Sequence, residues 1–380
     1  MEKIKTFKIL CIKTYFILPL LALFIVTASC SDDDNDNHDT TNKDKELIDT
    51  RGLDLYIQNA EKLQAGSEPS EAEWNALFET PAYQIFLGFY TREQIKDNMR
   101  VPYQQQNLTP DQQELYAHHL EYKANLNQLK AYSAQLKDGT IRDKTSELLY
   151  PFLPTRLQNK DLIPVMVYSY YSKREANGLP DKMIMDGLLA YETDSWNPGR
   201  GLLGAHEAFH SVSANAFDKR KKITLPETDT RQIVLNSLRS ISGEGIADLI
   251  DKDVLGQPSS PVYELFLTYQ VNEQQNSINF INTLNTRLEG LSNGGTITDA
   301  EAYKNSVLSQ VGHQPGRYMG RAIRQVGLLN VLKIEPENPF AFFYIYNTAA
   351  TILGNSNYPV FSQTAINYLR QLENQLINPL

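Results

Sequence analysis

The stretch GLLGAHEAFHSVSANAF, residues 201–217, constrains this chain more than any other, because it holds His206, Glu207 and His210 in the order His-Glu-x-x-His. On a helix, residues four apart stand one turn above each other. His206 and His210 can therefore turn two imidazole nitrogens towards one tetrahedral metal ion, with Glu207 beside it. The spacing predicts a zinc site with a carboxylate base next to it. The flanking residues predict the helix independently. Leu202, Ala205, Phe209, Val212 and Ala216 recur at steps of three and four and make one apolar stripe. Leu203, His206, His210 and Ser213 fall on the neighbouring stripe, which puts both histidines at the edge of a buried face. Among the 6 histidines, His38 lies in a polar tail and His118 and His119 in a polar helical run. Only His206, His210 and His313 sit near apolar sequence.

The chain opens on an export pattern. Lys3, Lys5, Lys8 and Lys13 precede the apolar run Tyr15 to Val26, and the small residues Thr27, Ala28 and Ser29 lead into Cys30. Residues 1–29 resemble a bacterial lipoprotein signal peptide, although Thr27 stands where leucine is usual. The resemblance implies cleavage before Cys30 and lipidation of that cysteine, so that the membrane becomes a partner. Residues 30–46 are polar and acidic and cannot bury enough apolar surface to order themselves, so they read as a disordered tether. An acidic run directly behind such a cysteine resembles the surface-export signal of some outer-membrane lipoproteins. A cell-envelope, outer-membrane location is expected, on either the periplasmic or the external face. Removing four lysines and Glu2 with the leader takes the formal charge from −9 to about −12. The one basic cluster, Lys219 to Lys222, reads as a solvated loop, and no nucleic-acid partner is expected. With Cys11 cleaved away and Cys30 acylated, no cysteine is left to pair, so the fold must be held by its core.

Along the chain, residues 47–160 read as a helical N-terminal region, with helices from Ile48 to Leu63, from a Ser70 cap to Phe78, and from Leu115 to Leu136. The pattern changes at Asp161. LIPVMVYSYY (162–171) and MIMDGLLA (183–190) are rich in strand formers and bounded by Asn177-Gly178 and Pro180, so two strands precede the motif helix. An edge strand there could bind an extended peptide by adding it to the sheet. A second helix spans 230–255, and 256–380 forms a helical C-terminal region. The latter contains a long run from Pro261 to Leu291, a break at Gly294-Gly295, and a helix near Arg317. The aromatic run 340–349 reads as core packing. The fold class is α+β, mainly α-helical, with residues 47–380 forming one compact unit.

The second helix carries the next clue. A glycine inside a helix costs roughly 1 kcal/mol relative to alanine, so Gly243 and Gly245 on either side of Glu244 call for a close backbone neighbour. If that neighbour is the motif helix, Glu244 reaches the metal as a third ligand. Asp248, one turn on, would then accept the second ring N–H of a ligand histidine. Glu227 and Asp218 compete for the third position.

HEAFH followed by EGIAD resembles the gluzincin metallopeptidases, the thermolysin-like arrangement. The whole chain also resembles an uncharacterised lipoprotein family of zinc-dependent peptidases, domain of unknown function 5700. The resemblance implies a zincin-like catalytic core at 161–255 with a small antiparallel sheet packed on the motif helix. It implies His206, His210 and Glu244 as ligands of Zn2+, Glu207 as general base, Asp248 in support, and a peptide or protein substrate. The 34-residue step from His210 to Glu244 is longer than the shortest gluzincin spacing and inside the tolerated range. Such enzymes also need an oxyanion donor from outside the two zinc helices, and His313 and Tyr318 are the candidates. Arg317 and Arg321 could instead hold a substrate carboxylate. Two other readings stay open: an envelope binding lipoprotein with a retained, non-catalytic zinc site, and a zinc hydrolase of a non-peptide amide.

Overall fold

In the computed structural model the described residues are 47–103, 110–170, 175–333 and 336–379, with backbone alone for 110–115 and 117. The leader, Cys30 and the tether lie outside them. Two apolar runs build the sheet that seats the site. β2 (Val165–Ser169) and β4 (Lys182–Asp186) are parallel, from Val165 opposite Lys182 to Ser169 opposite Asp186. Each is buried at every position but its first, as central strands covered on both faces should be. The short strand β1 (Ile48–Asp49) lies parallel to β2, and β3 (Ala176–Gly178) lies antiparallel to β4. The order is β1-β2-β4-β3.

This sheet is mixed, which corrects the expectation of an antiparallel one. The chain leaves β2, returns as β3 on the outer edge of β4, and only then enters β4. Asn177 and Gly178, which read as a turn, are therefore strand residues. The second predicted strand stops at Asp186, whose carboxylate accepts the Leu189 N–H at 2.9 Å and caps a helix. Residues 187–190 are thus helical, and Ile48 and Asp49 are strand rather than helix.

The N-terminal helices are α1 (Arg51–Gln64), α2 (Glu71–Phe78), α3 (Pro81–Phe86), α4 (Arg92–Arg100), α5 (Pro110–Ala124), α6 (Leu126–Leu136) and α7 (Thr140–Leu149). Ser70 and Glu73 close a reciprocal capping box at the start of α2. The helix expected over 115–136 is broken at Asn125. The central helices are α8 (Gly187–Ser195), α9 (Leu202–Arg220) and α10 (Thr230–Leu255). The C-terminal region adds α11 (Tyr263–Leu267), α12 (Glu273–Ser292), α13 (Ala300–Val307), α14 (His313–Gln325), α15 (Leu329–Leu332), α16 (Pro339–Leu353) and α17 (Gln363–Leu376). The run expected over 261–291 is interrupted by Asn272, which adopts φ 54°. No described helix is long and apolar enough to cross a membrane.

The motif helix α9 lies at the centre. Leu202 to Phe209 are all buried, so the helix is enclosed on every side there rather than on one stripe. A β-carbon on Gly204 would meet Thr145 Oγ1 at 2.6 Å and Met166 Cε at 2.9 Å. Glycine is what lets α9 sit down on α7 and the sheet. Phe340, Phe342, Phe343 and Tyr346 of α16 are buried core residues, as the aromatic run suggested.

Candidate metal centre

Three side chains from two helices converge. Nε2 of His206 lies 3.1 Å from Nε2 of His210. Oε2 of Glu244 lies 3.5 Å from the first nitrogen and 3.3 Å from the second. A tetrahedral zinc ion with bonds of 2.0–2.2 Å sets its ligand atoms about 3.3 Å apart. The three donors therefore already stand at three corners of such a tetrahedron. Among the described residues no fourth side chain joins this group, and an open corner is what separates catalytic from structural zinc sites.

The two glycines beside Glu244 serve different neighbours. A β-carbon at Gly243 would touch the His210 ring at 3.4 Å, so this position gives the imidazole room. Gly245 faces α14, where a β-carbon would come within 2.7 Å of the Gly316 oxygen. The close partner expected to be the motif helix is, for Gly245, α14. That crossing carries His313 into the centre, with its Nδ1 at 3.1 Å from Glu244 Oε2. Both oxygens of Asp248 hold the same Nδ1, at 3.0 and 3.1 Å. The ring packs against His206 and edge-on to Tyr269.

Other expectations are redistributed. Asp248 is 3.8 Å from His206 Nδ1, whereas Asp251 Oδ1 is 3.1 Å from it. Tyr318 lies five residues beyond His313, roughly 140° round the helix. Its hydroxyl donates to the Asn357 carbonyl at 2.6 Å and its ring stacks on Tyr358, so it is not brought to the cluster. Arg317 is buried against Glu273 at 3.2 Å, and Arg321 is bound to Glu273 and Asp253. Neither guanidinium is available to a substrate carboxylate. Glu227 is exposed and bonded to Asn236, and Asp218 is exposed, so neither competes with Glu244. His118 and His119 are buried rather than set in a polar run. His118 Nε2 is 3.1 Å from Asp186, and the His119 ring pairs with the Tyr170 hydroxyl.

Charge fits the geometry. Burial would raise the Glu244 carboxyl, but the imidazoles of His313, His210 and His206 around it outweigh that and hold it well below the usual carboxylate range. Burial pulls the His206 imidazole down, and the Asp251 carboxylate overcomes burial and lifts it well above its ordinary value. The pocket is built for positive charge. Glu207 is buried, and among the described residues no hydrogen bond or ion pair engages its carboxylate. The edge strand β3 is pressed onto the backbone at this point. A β-carbon on Gly178 would fall 2.5 Å from the Glu207 oxygen, and Ser211 Oγ donates to the Leu179 carbonyl at 2.8 Å.

Sequence reasoning missed Asp251 and Lys252. The signal was present, since 244, 248 and 251 follow at steps of four and three on one helical stripe. No curated protein and no solved structure matches the chain. A family model matches residues 74–353, nearly three quarters of the chain, and spans both helices of the centre and His313. The chain belongs to the family described as putative zinc dependent peptidase (DUF5700).

Proposed function

We propose that this chain is a zinc metallopeptidase of the gluzincin type, with His206, His210 and Glu244 as its metal ligands. The observation that carries the reading is the fit of these three donor atoms to a tetrahedron with one corner open. When bound, zinc supplies a Lewis acid that polarises the scissile carbonyl and brings the pKa of water towards about 7. Glu207 takes the proton as the water oxygen attacks the amide carbon, and delivers it to the nitrogen as the C–N bond breaks. His313, its Nδ1 held by Asp248, turns Nε2 to the oxyanion that forms on the carbonyl. The edge strand β3 supports binding of an extended peptide, because its outer side pairs with no other described strand. Export and acylation at Cys30 would tether the enzyme to the envelope; loss of labelled-lipid incorporation in Cys30→Ser tests that.

Glu207→Gln is the test of the chemistry. The variant should bind zinc as the wild type does and lose hydrolysis of a peptide library. Cleavage at the wild-type rate would overturn the assignment. Zinc bound by a wild-type protein that cleaves no peptide would instead favour an envelope binding lipoprotein.

A further inference from the structure

Beneath the metal centre lies a second buried layer. Lys252, itself buried, places Nζ 2.8 Å from Asp251 Oδ2, 3.4 Å from Asp248 Oδ1 and 3.4 Å from His206 Nδ1. The rings of Phe266 and Tyr269 lie 4.9 and 5.6 Å from the ammonium. Three groupings of described side chains have the composition and spacing to hold a cation: His206–His210–Glu244, His206–Asp248–Asp251 and Glu244–Asp248–His313. The second grouping already has its cation, because the Lys252 ammonium touches all three members. The third shares Asp248 with it. One metal position and one built-in ammonium therefore account for the whole cluster.

The charges agree. A divalent ion with Glu244 leaves a surplus of one positive charge, and Asp248, Asp251 and Lys252 together supply one negative charge. With neutral His206 and His210, and with an imidazolium at His313 offset by the buried Glu207 carboxylate, the buried ensemble is neutral, which spares it the cost of an uncompensated interior charge.

Taking the three-ligand metal site as given, we propose that Asp251 and not Asp248 sets the His206 ring for the metal, that Asp248 serves His313, and that Lys252 yokes the two carboxylates. The physical reason is directional. A carboxylate on Nδ1 fixes the tautomer and leaves Nε2 with its lone pair turned towards the ion. Asp251 can do this for His206 because Lys252 holds its other oxygen and stops the carboxylate from rotating. Asp248 holds the Nδ1 of His313 with both oxygens, leaving that ring's Nε2 for the reaction. All three are positioning residues: Asp251 and Asp248 each act through an imidazole, and Lys252 acts through the two carboxylates.

The test compares Asp251→Asn, Asp248→Asn and the size-matched Lys252→Met in the full chain, each first checked for cooperative unfolding. Zinc affinity is read by competition with a chelator, and ligand geometry by the visible absorption of the cobalt(II)-loaded protein. Asp251→Asn should weaken zinc by about 10- to 100-fold, the usual effect of removing a ligand's supporting partner, and alter the cobalt spectrum. Asp248→Asn should leave zinc affinity within about threefold and lower kcat on a cleaved peptide with little change in KM. Lys252→Met should show both effects in reduced form. If Asp251→Asn does not fold, the proposal still stands or falls on Asp248→Asn retaining zinc and on the double defect of Lys252→Met. A wild type that binds zinc, with Asp248→Asn the weak binder and Asp251→Asn normal, overturns this proposal and leaves the metal site intact. A wild type that binds no zinc removes the metal site and the proposal together.

Discussion

Gly316 lies so close to Gly245 that a β-carbon at position 316 would stand 2.7 Å from the Gly245 nitrogen and 2.2 Å from the Ile241 oxygen. The crossing of α10 and α14 is thus made backbone to backbone, and Gly320 repeats it one turn on, with a β-carbon 2.5 Å from the Gly245 oxygen. Glu244 and His313 meet because these two helices cannot be held further apart by side chains.

Gly316→Ala should therefore destabilise the protein by about 1–3 kcal/mol, as overpacking of a rigid contact does, and shift His313 away from Glu244. Urea unfolding checks the first effect. Loss of kcat larger than the loss of zinc affinity checks the second, because two of the three ligands, His206 and His210, stand on α9, outside this crossing.

The two oxyanion candidates can now be separated. His313→Gln should retain zinc and lower kcat by about 10²- to 10³-fold, the usual cost of a missing oxyanion donor. Tyr318→Phe should leave kcat within about threefold, since that hydroxyl is spent on the Asn357 carbonyl. Steady-state kinetics on any cleaved peptide decides between them.

Much of the centre could be read from spacing alone. His206, Glu207 and His210 needed only the period of a helix, and Glu244 was marked by the glycines around it. What stayed hidden depended on partners distant in sequence. Asp251 belongs to the same stripe as Glu244 and Asp248, but only packing tells which carboxylate meets which imidazole. Tyr318 looked as suitable as His313 until the turn of α14 set them on different sides. β3 is three residues long, too short for a periodic signal, and Asn177-Gly178 has the composition of a turn. His118 and His119 read as polar helix because the groups they meet are distant in sequence: Asp186 ends β4 and Tyr170 directly follows β2.

The buried His119 gives a pH dependence with a definite sign. Burial, with His118 beside it, pushes its imidazole down to about 4 from an ordinary 6.5. The unfolded chain takes up this proton below about pH 6.5, and the folded protein resists until about pH 4. Stability is therefore fully present above pH 6.5 and is lost as pH falls towards 4, by about 3 kcal/mol for this group. His119→Gln, which keeps a polar partner for Tyr170, should flatten that part of the stability profile relative to wild type. Unfolding midpoints measured from pH 7 to 4 for both proteins give the comparison.

The most direct measurement is a zinc titration of the purified protein beside Glu244→Gln. One zinc should bind per wild-type chain, and the variant should lose more than about 100-fold in affinity, beyond what removal of an outer partner costs. Equal zinc binding by the two proteins, or none by the wild type, would contradict the three-ligand metal site.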